Sequence, residues 1–159
     1  RLQGTSLDTE ERLVVNDLSL KIIEDHPLLG TGLGTYYTAF PQYRDEKVSS
    51  LYLHAHNDLM EFPSELGLLG MLPLVLLVLS SFIAAIRLQV KNRSRLLRAM
   101  GFASSMGIIA IMLHSLTDFN LQVFANAATF MVLLALPFIC FNLAEQNRLA
   151  AGGRGVRGG

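Results

Sequence analysis

The stretch HAHNDLMEFPSELGLLG, residues 54 to 70, runs a cluster of histidine, asparagine and carboxylates directly into a long apolar segment. His54, His56 and Asp58 alternate, so on an extended backbone the three would share one side, as metal ligands do. The HxHxDH pattern of metallo-hydrolases, however, has a histidine where this chain has Leu59. His26 and His114 are the other histidines. A second reading makes His56 a general base: an imidazole titrates near neutral pH and can accept a proton there. A third makes these residues ordinary helix-start polar groups, with Asp58 as a cap.

The elements that position these residues are read from hydropathy. The chain has 159 residues, 51% hydrophobic and 16% charged, with a mean hydropathy of +0.40. Residues 66–86, 99–117 and 119–144 contain no Asp, Glu, Lys or Arg. Each run approaches or exceeds the ~20 residues that cross a bilayer core. The expectation is an all-α membrane protein: a loop region over 1–65 carrying an amphipathic helix, then transmembrane helices at 66–86, 99–117 and 123–144. Pro73 and Pro137 are compatible with helices whose neighbours satisfy freed backbone groups.

Basic residues set the orientation. Arg87, Lys91, Arg93, Arg95 and Arg98 lie between the first two apolar runs, and Arg148, Arg154 and Arg157 follow the third. These place 87–98 and a disordered tail at 145–159 in the cytoplasm. Residues 1–66 hold five Lys/Arg against eleven Asp/Glu, and the turn at 118–122 has no basic residue, so both are expected on the far side. A net charge of zero, with basic clusters confined to membrane flanks, gives no support for nucleic-acid binding. Because the chain opens without a signal region although its first segment must cross the membrane, it reads as the C-terminal part of a longer polytopic protein, inactive if expressed alone. Cys140 is the single cysteine, which excludes a disulfide framework within the chain.

Within 1–65, Asp8 and Glu11 resemble a capping box, and Val14, Leu18 and Ile22 form a helical stripe, predicting a helix from about Thr9 to Asp25 that Pro27 ends. An irregular connection follows. Gly30, Gly32 and Gly34 suit a structured turn better than a phosphate loop, since no strand precedes them and no Lys-Ser/Thr follows. Tyr36, Tyr37, Phe40, Tyr43 and Tyr52 form an interfacial aromatic belt or, in the functional alternative, Tyr36, Tyr37 and Tyr43 stack on sugar rings. His114 and Asp118, four residues apart, are expected to share a helix face, tying that helix end to the loop or serving the site.

HPLLGTGLGTYYTAFPQYR, then HAHNDLMEFPSELGLLG, then HSLTDFNLQVFANA resemble, in order and spacing, the O-antigen ligase and polymerase superfamily of bacterial membrane glycosyltransferases. The resemblance covers roughly residues 10–140, and its most specific element is His56-Asn57, nine residues, then Gly67-Leu68-Leu69-Gly70. It implies a multi-pass protein of the bacterial inner membrane with a periplasmic loop. It also implies transfer of a glycan from an undecaprenyl-diphosphate carrier to a hydroxyl of lipid A core or another acceptor, with membrane lipid as surroundings. No cofactor is implied, and the chain has no DxD motif, which fits a metal-independent reaction.

Such transfer needs a base, positive charge for the departing diphosphate and accurate positioning. His56 is assigned as the base, with Asn57 and Asp58 orienting it or the acceptor. Arg12 is assigned to the diphosphate, because a guanidinium grips two phosphate oxygens and the resemblance implies an Arg there, with Arg44 as the alternative. Glu61, Glu65, His114 and Asp118 are supporting residues. Two departures stand out: members often carry an Arg shortly before a Trp, and this chain has no Trp after Arg12 or anywhere else; Leu59-Met60 stands where an aromatic is common. Ligase, repeat-unit polymerase and protein O-oligosaccharyltransferase remain open within this class. From other classes, a non-catalytic subunit of a polysaccharide exporter and a metal-dependent hydrolase stay alongside them.

Overall fold

The computed structural model describes residues 2–43 and 55–155. Its elements are α1 (Leu2–Asp25), α2 (Tyr36–Tyr43), α3 (Asp58–Lys91), α4 (Arg95–His114) and α5 (Phe124–Gly155), with one turn of 3₁₀ helix at Asn120–Gln122. There is no strand among the described residues. Helices α3, α4 and α5 are each long and apolar enough to cross a membrane, so the expected all-α membrane class is what the chain adopts.

The chain forms two compact units, Arg1–Val75 with Met112–Phe124, and Leu76–Ile111 with Ala125–Gly159. In the first, α1 buries Val15, Leu18 and Ile22 against Tyr36 and Phe40 of α2 and against Ala55. The spacing of three and four is that of one helix face. Ser19 lies in the same stripe, fully buried, its hydroxyl bonded to the Val15 carbonyl and to the Tyr36 hydroxyl, both at 2.8 Å.

Four boundaries differ from expectation. Helix α1 begins by Leu2, so Asp8 and Glu11 lie inside it rather than at its start; no proline interrupts the chain before Pro27. The connection after Pro27 contains α2, whose Tyr, Phe and Pro content hid it. Tyr36 and Phe40, one turn apart, stack at 5.3 Å between ring centroids and are held by α1 rather than by propensity. Helix α3 starts at Asp58, two turns before the apolar run, and continues to Lys91 with a break at Gly67 (φ 60°, ψ −172°). Finally, α5 runs on to Gly155, so the tail placed at 145–159 is helical that far; Leu143, Ala144, Glu145, Gln146 and Leu149 to Ala151 are mostly good helix formers.

The second unit is held together in the manner of membrane helices, by close approach and interhelical hydrogen bonds. Ser81 of α3 donates to the Leu134 carbonyl of α5 at 2.8 Å, and Ser104 of α4 to that of Leu133 at 2.7 Å. Gln89 of α3 donates to the Ser105 hydroxyl of α4 at 2.9 Å. A Cβ at Gly101 would come within 2.8 Å of the Ala85 carbonyl oxygen, so α3 and α4 meet there at a separation only glycine permits. Leu88, Leu97 and Cys140 form the small apolar core of this unit.

Candidate functional site

The site is organised by the break in α3. A regular helix through residue 67 would use the Ser64 and Glu65 carbonyls and the Leu68 and Leu69 amides internally. Here the loop after α1 takes all four. Thr31 N donates to Ser64 O (2.9 Å) and Gly32 N to Glu65 O (2.8 Å), while Leu68 N donates to Pro27 O (2.8 Å) and Leu69 N to Leu28 O (3.0 Å). Gly30 (φ 65°) and Gly67 (φ 60°) make this possible, because a Cβ on either would overlap the backbone of the other segment. Gly30 of GTGLG and Gly67 of the GxxG element are thus two halves of one interlock.

Two carboxylates inside the first unit fix the loop further. Glu65, 2% exposed, accepts from Tyr36 N at 2.9 Å and so completes the N-terminus of α2. Glu61, also 2% exposed, accepts from Ala55 N at 2.8 Å, one residue before His56. Each carboxylate thus terminates a backbone segment that carries candidate site residues.

His56 has φ +51°, the left-handed conformation that side chains with a Cβ resist at a cost of roughly 1–2 kcal/mol. The chain around it enforces that conformation. Ala55 is anchored by Glu61, and Asn57 caps α3, its Oδ1 accepting from Leu59 N at 3.0 Å and its carbonyl from the amides of Met60 and Glu61. The cap belongs to Asn57 and not to Asp58, which corrects the capping alternative for Asp58. Asp58 is instead fully buried: its amide donates to Ser115 O at 3.0 Å, and its Oδ2 accepts from Leu121 N at 2.8 Å. Asp58 thereby binds the connection between α4 and α5 to the start of α3.

That connection supplies the surroundings of the imidazole. His56 Nδ1 lies 3.7 Å from Asp118 Oδ1, and its ring meets Phe119 edge to face with centroids 4.9 Å apart. Asp118 Oδ1 also accepts from Phe119 N at 2.9 Å, which fixes the carboxylate. At 3.7 Å the His–Asp pair is an electrostatic contact short of a hydrogen bond, a separation that catalytic pairs without substrate often show. His114 Nε2 stands 4.0 Å from Asp118 Oδ2. Helix α4 ends at His114, so the two do not share a helix face as expected; the turn after the helix, with Leu116 and Thr117 bonded back to Leu113 and His114, brings them together.

The remaining candidates divide. Tyr36 is 1% exposed and cannot stack on a sugar; burial first of all, together with the nearby Glu61 charge, pushes its phenol above the usual range, against the bond to Ser19. The Tyr43 hydroxyl donates to Asp25 at 2.8 Å, which raises its pKa and ties the side chain to the end of α1. Tyr37, 56% exposed, keeps an open ring. Arg12 falls on α1, one turn before Val15. Arg44 and His54 lie outside the described residues, as does Tyr52. Among the described residues, no group of three or more His, Cys, Asp or Glu side chains stands close enough to hold a metal ion. Sequence reasoning did not single out Phe119, Ser115 or Leu121. All three fall in HSLTDFNLQVFANA, the third element of the resemblance, where only the ionisable residues had been considered.

Taken together, the apolar helices and this polar, loop-borne His–Asp arrangement define a multi-pass membrane protein with a candidate acid–base site in its first unit. Residues 1–75 match the family described as O-antigen ligase. The match contains α1, α2, His56, Asn57 and Asp58, and it shows the resemblance read from the sequence over that stretch. No curated protein and no solved structure matches the chain.

Proposed function

We propose that this chain carries the base of a metal-independent glycosyltransferase that moves a glycan from an undecaprenyl-diphosphate carrier to an acceptor hydroxyl, in the manner of O-antigen ligases of the bacterial inner membrane. The observation that carries this reading is the fixed imidazole of His56, half-exposed between Asp118 and Phe119, within the stretch similar to that family. Asp118 facing Nδ1 would offset the positive charge of a ring that takes a proton.

In the proposed step, the acceptor oxygen bonds to the anomeric carbon as the bond from that carbon to the diphosphate oxygen breaks. The hydroxyl proton passes to the His56 imidazole, and undecaprenyl diphosphate leaves with the bonding pair. Asp118 holds the ring and offsets the positive charge it gains. Arg12 and Arg44 neutralise the leaving diphosphate, and Tyr37 offers an apolar face to sugar. The loop region works on the periplasmic face, and the basic stretch 87–98 lies in the cytoplasm.

The deciding experiment is transfer from purified lipid-linked donor in membranes of cells expressing the whole protein, with His56→Ala beside the unaltered chain. Loss of transfer at normal abundance supports a catalytic base. Unchanged glycan export with His56→Ala would instead establish a non-catalytic export subunit. In deletion cells, loss of all capped lipopolysaccharide identifies a ligase, and capping by single repeats a polymerase.

A further inference from the structure

A cavity of about 780 Å³ opens in the second unit, between the end of α3, the 92–94 connection, the start of α4 and the last turns of the apolar part of α5. Its lining has two chemistries. Arg87, Lys91 and Arg93 supply three cations against the single carboxylate of Glu145, whereas Leu88, Leu97 and Phe141 make an apolar wall. The three basic side chains are exposed, and among the described residues none has a carboxylate within ion-pair distance.

The preference of basic residues for one side of a membrane explains why such residues occur between two spans. It does not explain their convergence on one cavity. Arg95 and Arg98, in the first turn of α4, line a separate, smaller cavity with Gln89 and Phe102. Uncompensated cations above an apolar wall, on helices that cross the bilayer, match a phosphate group attached to hydrocarbon. The volume falls within the ~300–1,000 Å³ of small-molecule sites. Basic recesses between transmembrane helices are where acidic lipid headgroups bind.

We infer that this cavity binds the phosphate headgroup of an anionic phospholipid, with the first methylenes of its acyl chains on Leu88, Leu97 and Phe141. The shared chemistry is a phosphate ester, for which a lipid and a soluble phosphate are the two sources. The apolar wall selects the lipid.

The test uses the whole protein in detergent, titrated with phosphatidylglycerol, with phosphatidylcholine of equal chain length and with inorganic phosphate, reading bound adducts by native mass spectrometry. Phosphatidylglycerol is expected to bind at least ~10-fold more tightly than phosphatidylcholine. Combined Arg87→Gln, Lys91→Gln and Arg93→Gln should weaken it by ~100-fold, at about fivefold per cation. The control pair Arg95→Gln and Arg98→Gln, which removes two charges of the same helical region, should leave binding nearly unchanged. Equal binding of the two lipids overturns the inference, as does an equal loss per charge from the control pair. Inorganic phosphate displacing the lipid at equal concentration would make this a soluble-phosphate site and overturn the lipid assignment. Should the triple variant fail to insert, the ranking of the two lipids on the unaltered protein decides.

Discussion

Glu61 accepts a hydrogen bond from the amide of Ala55, so a carboxylate buried in the first turn of α3 holds the residue that precedes the strained His56. A general base acts only where its ring is held, and this contact turns helix packing into ring placement. Glu61→Ala leaves the Ala55 amide without its partner, a loss of about 1–3 kcal/mol. It should reduce transfer more than membrane abundance. Glu61→Gln keeps an acceptor oxygen and should retain most of the activity. Equal activity in both variants, measured with lipid-linked donor, would remove Glu61 from this role.

At His56 itself, stability and activity are expected to separate. His56→Ala should cost ~10²- to 10⁴-fold in transfer, the range for a general base. His56→Gly should be as inactive yet more stable by roughly 1 kcal/mol, since glycine relieves the left-handed backbone. Thermal unfolding in detergent reads the gain, and a destabilised His56→Gly would show that the imidazole contacts outweigh the backbone cost.

The two histidines beside Asp118 give opposite expectations. Asp118→Asn keeps the side-chain shape and removes the charge facing His56, so transfer should fall by at least tenfold with KM little changed. His114→Ala, whose side chain is 59% exposed, should retain activity within about threefold. Greater loss from His114→Ala than from Asp118→Asn would reassign the base.

Three of the four positive-φ glycines of the first unit rank differently. Gly30→Ala and Gly67→Ala place a Cβ into opposing backbone and should abolish accumulation of folded protein. Gly34→Ala has the same strained conformation, φ 73°, but nothing within 4 Å, and should cost only ~1 kcal/mol. Expression levels in membranes, followed by thermal unfolding of what accumulates, distinguish the three.

Orientation is checked by cysteine labelling in intact cells. In a Cys140→Ala background, Tyr37→Cys should react with a membrane-impermeant thiol reagent, and Ser94→Cys only after permeabilisation. Labelling of Ser94→Cys in intact cells would reverse the proposed topology.

What could be read from sequence follows from where the information is local. Charge-free runs near Val75, Ile109 and Leu134 announce α3, α4 and α5 because a spanning helix must be apolar along its whole length. His56 was legible through its place in a spaced motif. The left-handed turn at His56 was not, since no glycine or asparagine occupies that position. Helix α2 escaped because Tyr36 and Phe40 are held by a partner some 20 residues away, and the roles of Glu61 and Glu65 because acceptors of distant amides leave no periodic trace. Asp118 was found as an ionisable residue, but its approach to His56 depends on the bonds Asp58 makes to Ser115 and Leu121, a relation spanning some 60 residues.

The interlock of the 27–32 loop with the break in α3 gives the site an order of assembly during synthesis. The loop leaves the ribosome first and meets its partners only when Ser64 to Leu69 emerge, while buried Asp58 waits for Ser115 and Leu121 some 60 residues later. A nascent chain halted after α3 thus carries His56 without Asp118 or Phe119 beside it. The proposed base would be set only after α4 has been made and its connection to α5 folded back, so an unfinished chain holds an unset imidazole.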